Sequence, residues 1–244
     1  MSMRYRTRRI ILFCIALAVV VFGLGQSGNL RLPQAAPPTP MQATSTSSKS
    51  TLVASSALAA LDTLPVKGRA PKTDYKRTQF GNGWALRNGC DMRNLILQRD
   101  LVSPLVGEDC KVIRGTLNDP YTGKVIEFVR GADTSDDVQI DHVVALSNAW
   151  QTGAQQLTVD QRIALANDPL ELIAVDGPAN QAKGDGDAAT WLPSNKPFRC
   201  QYVARQVAVK QKYTLWVTTA EKEAIQHVLV GCPEQPLPNA TEIK

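Results

Sequence analysis

Asp141 and His142 stand side by side in Val138-Gln139-Ile140-Asp141-His142-Val143-Val144, and further along the run Asp176 to Asp185 carries Asn180 and Lys183. A carboxylate, an imidazole and an amide oxygen suit metal-assisted hydrolysis of a phosphodiester. That reaction needs a nucleophilic hydroxide, a Lewis acid on the phosphate and stabilisation of the leaving oxygen. An imidazole with its ordinary pKa of about 6.5 accepts a proton from water near neutral pH. Asp141 and Asn180 are hard donors, and a site with only two protein ligands leaves water and phosphate oxygens to complete the octahedron that Mg²⁺ prefers. Mn²⁺ fits the same donors. Zinc fits less well, because its sites gather three or four His, Cys or carboxylate ligands and none cluster here.

Such a site needs elements to hold it. Val138 to Val144 alternates apolar and polar side chains with period two, which predicts a strand delivering Asp141 and His142 on opposite faces. Leu170-Glu171-Leu172-Ile173-Ala174-Val175 predicts a second strand. Asp176 then serves as N-cap, with Pro178 in the first turn of a short helix that carries Asn180 and Lys183. A lone histidine in a strand is more often structural than catalytic, and Asn180 alone could cap a turn. The conjunction of strand, strand and helix favours the chemical reading. Gly184-Asp185-Gly186-Asp187 reads as a solvated loop or, by composition only, a calcium loop, and the twelve-residue EF-hand pattern is absent.

This order of elements resembles the HNH, or ββα-metal, nuclease motif. The resemblance implies that Asp141 and Asn180 hold one divalent cation and that His142 is the general base. In the mechanism this suggests, Lys183 or a nearby arginine, Arg93 or Arg205, positions the nucleic-acid backbone. Glu171 falls where that family has a middle Asn bracing the loop around the base, a departure from the pattern. Asp91 and Arg93 could reach the site to hold a phosphate or orient His142, with a structural ion pair as the alternative, and Asp185 is a further supporting residue. Four segments extend the resemblance: Gly89-Cys90-Asp91-Met92-Arg93-Asn94, Asp119-Pro120-Tyr121-Thr122-Gly123, Asp141-His142-Val143-Val144-Ala145-Leu146 and Asn180-Gln181-Ala182-Lys183-Gly184-Asp185. From Tyr75 to Cys232 the chain is similar to exported HNH proteins of the DUF1524 type, related to the C-terminal part of GmrSD-like restriction proteins.

Residues 1–25 combine Arg4, Arg6, Arg8 and Arg9 with an apolar run from Ile10 to Leu24. That run is short for a membrane span and suits the core of an export signal, with an uncleaved anchor as the alternative. Residues 26–70 are read as a Pro-, Ser-, Thr- and Ala-rich linker with one short helix between Leu52 and Leu64, stopped by Pro65. The domain is expected over 71–232, with a loose tail at 233–244. The formal charge of +5, from 27 Lys and Arg against 22 Asp and Glu, overstates the basicity of that domain. Without the four leader arginines the balance is 23 to 22, and without Arg31 and Lys49 it is 21 to 22. Basicity is local: between 183 and 212, six cations (Lys183, Lys196, Arg199, Arg205, Lys210, Lys212) face only Asp185 and Asp187. Such a stretch suits a backbone-tracking groove or, as the plainer alternative, a solvated helix face.

Cys14 lies in the leader, leaving Cys90, Cys110, Cys200 and Cys232, an even number in a chain read as exported. Three connectivities are open. Cys90 with Cys110 and Cys200 with Cys232 are favoured, because each closes a short loop. Upstream of the motif, the residues around Leu95-Ile96-Leu97 predict a helix, and the runs from Cys110 to Leu117 and Lys124 to Val129 predict a hairpin about the Asp119–Gly123 turn. Thr158 with Gln161 and Thr218 with Glu221 are capping boxes opening helices, and Tyr202 to Tyr213 predicts another. His227 is read as surface structure, and Trp191 as core.

The expected architecture is an α+β domain: a ββα-metal (HNH) core with an N-terminal hairpin and helix extension and C-terminal helices, stapled by disulfides. The expected activity is that of a secreted or surface-anchored endonuclease using Mg²⁺ or Mn²⁺ on DNA, with RNA as the other candidate, acting as a monomer and anchored to a membrane if the leader is retained. The alternatives are an envelope protein that keeps the fold and binds nucleic acid or a partner without turnover, and a hydrolase of small phosphoesters.

Overall fold

A computed structural model describes residues 56–238 apart from Asp133; the leader and most of the expected linker lie outside the described residues. The first helix, α1 (Ala57–Thr63), is capped by Ser56, whose Oγ accepts the Ala59 N–H, and it ends before Pro65. Its Ala57, Ala60 and Leu61 are buried against the two C-terminal helices. The domain start expected at Pro71 is therefore corrected: the helix assigned to the linker carries an apolar face that completes the core. The expected loose tail is corrected in the same way as far as Pro238, since Ser56 bridges Pro236, the Ala57 N–H donates to the Gln235 carbonyl at 2.8 Å, and Leu237 packs on the core.

After α1 an extended strap runs to a 3₁₀ turn at Arg77–Phe80. The strap is pinned by backbone bonds from Lys67 to Val217 and from Ala70 to Gln151, while the Trp216 and Trp150 indoles donate to the Gly68 and Thr73 carbonyls. A two-strand hairpin follows, β1 (Leu86–Arg87) with β2 (Cys90–Asp91). Asn88 and Gly89 at its tip both have positive φ, as a tight primed turn requires. Asp91 then caps α2 (Met92–Asp100) by accepting the Asn94 N–H.

Strands β3 (Val102–Val106), β4 (Val112–Asn118) and β5 (Val125–Val129) form an antiparallel sheet in chain order, and the predicted turn joins β4 to β5. Next comes β6 (Val138–His142), then a helical excursion through α3 (Leu146–Gln151) and α4 (Val159–Ala166), the latter opened by the capping box on Thr158. The chain returns as β7 (Leu172–Asp176) and passes directly into α5 (Gly177–Lys183). The C-terminal helices are α6 (Arg199–Lys212) and α7 (Thr219–Val230), the second opened by the capping box on Thr218.

The β6–β7 ribbon, with Val138 opposite Asp176 and His142 opposite Leu172, is buried on both faces. Val138, Ile140, Leu172 and Ala174 belong to an apolar cluster with α2 and the three-stranded sheet, whereas Ile173, Val175 and Val143 join the larger core around α6. A two-stranded ribbon leaves edge groups without ladder partners, and buried ones must be satisfied by other means. Side chains do this on β7: Asp100 accepts the Ala174 N–H, Asp119 accepts the Asp176 N–H, and Arg99 and Arg205 both donate to the Leu172 carbonyl. Disulfides join Cys90 to Cys110 and Cys200 to Cys232, as favoured from the sequence.

Candidate active site

The ribbon and α5 together bring Asp141, His142 and Asn180 to the wall of one cleft of about 380 Å³. The turn from β7 into α5 depends on Gly177. Its N–H donates to the Asp137 carbonyl, and a Cβ there would lie 2.0 Å from the Asp136 carbonyl oxygen, so only glycine lets the helix start this close to β6. Asp176 accepts the Ala179 N–H as N-cap, and Pro178 occupies the first turn. Asn180 then faces Gln139 of β6: its Nδ2 donates to Gln139 Oε1 at 2.9 Å, which directs its donors there and leaves Oδ1 as acceptor.

Asp141 is buried and held on both oxygens. Lys183 Nζ donates to Oδ1 at 2.9 Å, and the Tyr121 hydroxyl donates to Oδ2 in a short bond. The Lys183 side chain is 0% exposed and also donates to the His142 carbonyl at 2.8 Å. Burying a carboxylate is costly unless it is paired and hydrogen-bonded, and these two partners meet that cost. Tyr121 sits in the Asp119–Gly123 segment, which the sequence offers as a turn and as part of the family resemblance but with no role at the site. Asp119 of the same turn holds Thr122 through its N–H and hydroxyl and reaches across to the Asp176 N–H, so one turn clamps both Asp141 and the start of α5.

His142 is 6% exposed and lies against Trp84, with ring centroids 5.8 Å apart and planes 6° from parallel. Its Nε2 is 2.9 Å from the Ala166 carbonyl. A carbonyl only accepts, so Nε2 carries the proton and Nδ1 carries the lone pair. Burial, reinforced by the nearby Arg77 charge, holds the imidazole down at about 3, and it is neutral at pH 7. Glu171, 0% exposed, receives the Val144 N–H at 3.2 Å on both carboxyl oxygens, and its own carbonyl accepts the Val143 N–H. Gln206 of α6 holds the Val143 carbonyl. The backbone just after His142 is thus braced by the Glu171 carboxyl and carbonyl and by the Gln206 amide, and burial pushes the Glu171 carboxyl well above the usual range.

The remaining expected residues divide. Arg93 lines the cleft, but its Nη2 is given to the Ser135 and Val138 carbonyls. Asp185 lines it too, accepting from Lys72 and Ser147, while neighbouring Asp187 is paired with Arg69. Asp91 is the α2 cap and lies outside the cleft lining. Two expectations of backbone contact are corrected. Lys183 is sealed behind Asp141 and presents nothing to the cleft, and Arg205 is half-buried with its guanidinium on the Pro169, Leu170 and Leu172 carbonyls. Sequence reading missed Tyr121, Gln139, Arg77 and Trp84. The signal for Tyr121 was its motif. The strap residues gave none, since their neighbours are remote in sequence.

Asp141 and Asn180 both line this cleft, and a carboxylate and an amide oxygen are the donor types that a hard divalent cation takes. Among the described residues no group of three or more His, Cys, Asp or Glu is placed to hold a metal ion. No helix among them is long and apolar enough to cross a membrane.

The family model described as GmrSD restriction endonucleases, C-terminal domain, matches residues 100–228, more than half of the chain. An uncharacterized secreted protein of Arthroderma benhamiae (strain ATCC MYA-4681 / CBS 112371) is 37% identical over 181 residues, covering 73% of this chain and 86% of the relative. No solved structure matches. With β6, β7, α5 and the turn that clamps them all inside the matched residues, the chain belongs to the family of GmrSD restriction endonuclease C-terminal domains.

Proposed function

We propose that this protein is an exported HNH-type endonuclease that hydrolyses phosphodiester bonds, with DNA as the favoured substrate and RNA as the other candidate. The observation that carries this is the convergence of Asp141, His142 and Asn180 on one cleft wall, with the imidazole's tautomer fixed by the Ala166 carbonyl. A divalent cation on Asp141 and Asn180 supplies Lewis acidity toward a phosphate oxygen when bound. His142 accepts the proton of the attacking water at Nδ1, with Trp84 and the Ala166 carbonyl fixing the ring. Lys183 and Tyr121 orient Asp141, and Glu171 positions the backbone that follows the base. Family membership supports a nuclease-related role, and the secreted relative together with the arginine-flanked apolar leader supports export. Two disulfides agree with an oxidising compartment.

A second reading, binding of nucleic acid without turnover, draws on the engagement of both Asp141 oxygens by Lys183 and Tyr121. Plasmid DNA, RNA and a chromogenic phosphodiester assayed side by side in Mg²⁺ and in EDTA separate the readings. Metal-dependent cleavage of the polymers well above that of the small ester supports the nuclease. Binding with no cleavage supports the second reading, and turnover of the small ester alone contradicts both.

A further inference from the structure

We propose that Arg77 is the phosphate-positioning residue of this cleft, contributed by the N-terminal strap and lying outside the family-matched residues. The proposal rests on reading the cleft as a nucleic-acid site. Four cations were candidates for that contact near Asp141 and His142; two of them are ion-paired elsewhere, and a third is half-buried with one of its three nitrogens committed. Lys183 is sealed on Asp141, Arg93 gives its Nη2 to two backbone carbonyls, and Lys72 is paired with Asp185 at 2.9 Å. The fourth, Arg77, lines the same cleft as Asp141, His142 and Asn180, is exposed, and has no hydrogen-bonded or ion-paired acceptor among the described residues. A planar guanidinium with free donors is matched to the oxygens of a phosphodiester.

Its mount is rigid, which separates it from an ordinary surface arginine. The 3₁₀ turn Arg77–Phe80 is fixed by Phe80, buried among Tyr75 and Trp150, and by Arg162, which donates to the Gln79 carbonyl at 3.0 Å and to the Gln79 side chain. The strap before it is tied to the loop after α5 by Arg69–Asp187 at 2.7 Å and Lys72–Asp185. The backbone that carries Arg77 is thereby held in register with the helix that carries Asn180. Trp84, just after the turn, lies flat against His142, so residues on both sides of the turn line the cleft beside the β6 and α5 residues.

The test compares the full chain with Arg77→Gln, Arg77→Lys and, as a control for loss of one exposed charge, Lys124→Gln. A labelled oligonucleotide is titrated in EDTA across a salt series, and KM and kcat are then measured in Mg²⁺. Arg77→Gln is expected to weaken binding about tenfold or more and to lower the slope of log affinity against log salt by about 0.7–0.9, one phosphate contact. In catalysis the loss should fall on KM more than on kcat. Arg77→Lys should keep the salt slope and recover only part of the affinity. Equal affinity and slope in Arg77→Gln and Lys124→Gln would overturn the proposal, even if the wild type cleaves DNA. Arg77-dependent binding without cleavage by the wild type would uphold Arg77 and reject the nuclease reading. No oligonucleotide binding by the folded wild type would reject both.

Discussion

Replacing Lys183 with Met tests the most consequential correction, that this lysine is an internal clamp on Asp141 and makes no substrate contact. The ammonium lies 2.9 Å from Oδ1 with its side chain 0% exposed. At an effective dielectric of about 20 that separation corresponds to about 6 kcal/mol of attraction, part of which offsets the desolvation of both ions. Removing the cation alone leaves a buried carboxylate with only Tyr121, a change expected to cost about 3–5 kcal/mol. For a chain of this size that lowers the Tm by roughly 6–20 °C. Urea and thermal unfolding of the oxidised protein measure the loss, and a double-mutant cycle with Asp141→Asn isolates the pair. The combined variant should recover part of the deficit, because the uncompensated charge is gone. A loss under about 1 kcal/mol, with additive single variants, would show an exposed pair and refute the clamp.

Further outcomes follow from the neighbouring groups. The His142 imidazole is held at about 3 in the folded state against about 6.5 unfolded, so the native protein binds fewer protons between those values. Its contribution to stability is complete above pH 6.5 and is lost as pH falls toward 3, about 2 kcal/mol between pH 6.5 and 5. Urea midpoints should therefore fall more steeply with acid in wild type than in His142→Asn, and equal slopes would contradict the neutral buried ring. Glu171 acts with the opposite sign: its raised carboxyl favours the fold at low pH and loses that effect as pH rises, so Glu171→Gln should gain stability relative to wild type on the alkaline side. Glu171→Ala, which strands the Val144 N–H, should cost about 1–3 kcal/mol by the same unfolding measurement. Gly177→Ala, forced against a carbonyl oxygen at 2.0 Å, should cost about 3 kcal/mol, whereas Gly68→Ala, with nothing within 4 Å of the new carbon, should be near neutral in thermal melts.

What the sequence disclosed was local. Asp176 with Pro178, Thr158 with Gln161 and Thr218 with Glu221 are cap signals spanning four residues or fewer, and each opens its helix as read. The period-two run at Val138 to His142 likewise became β6. The failures came from distance. Whether Lys183 or Arg205 meets solvent depends on Tyr121 and Asp141 in one case and on carbonyls of residues 169–172 in the other, and no local pattern carries that information. Clustered cations between 183 and 212 suggested a basic groove, yet Lys183 and Lys210 are buried, the latter on Glu221, and the Arg205 guanidinium is taken up by backbone carbonyls. β3 went unread because Val102-Ser103-Pro104-Leu105-Val106 contains proline, which an edge strand tolerates. The strap that brings Arg77 and Trp84 to the cleft is irregular apart from one 3₁₀ turn, and its place is set by remote ion pairs and aromatic packing.

The central claim is that Asp141, His142 and Asn180 form a metal-dependent phosphodiesterase site. The most direct measurement is plasmid and RNA cleavage by the purified oxidised protein in Mg²⁺, Mn²⁺ or EDTA, beside a folded His142→Ala variant. The account predicts cleavage that requires the cation and disappears with the imidazole. Cleavage that survives His142→Ala, or a folded wild type inert with every cation, would contradict it.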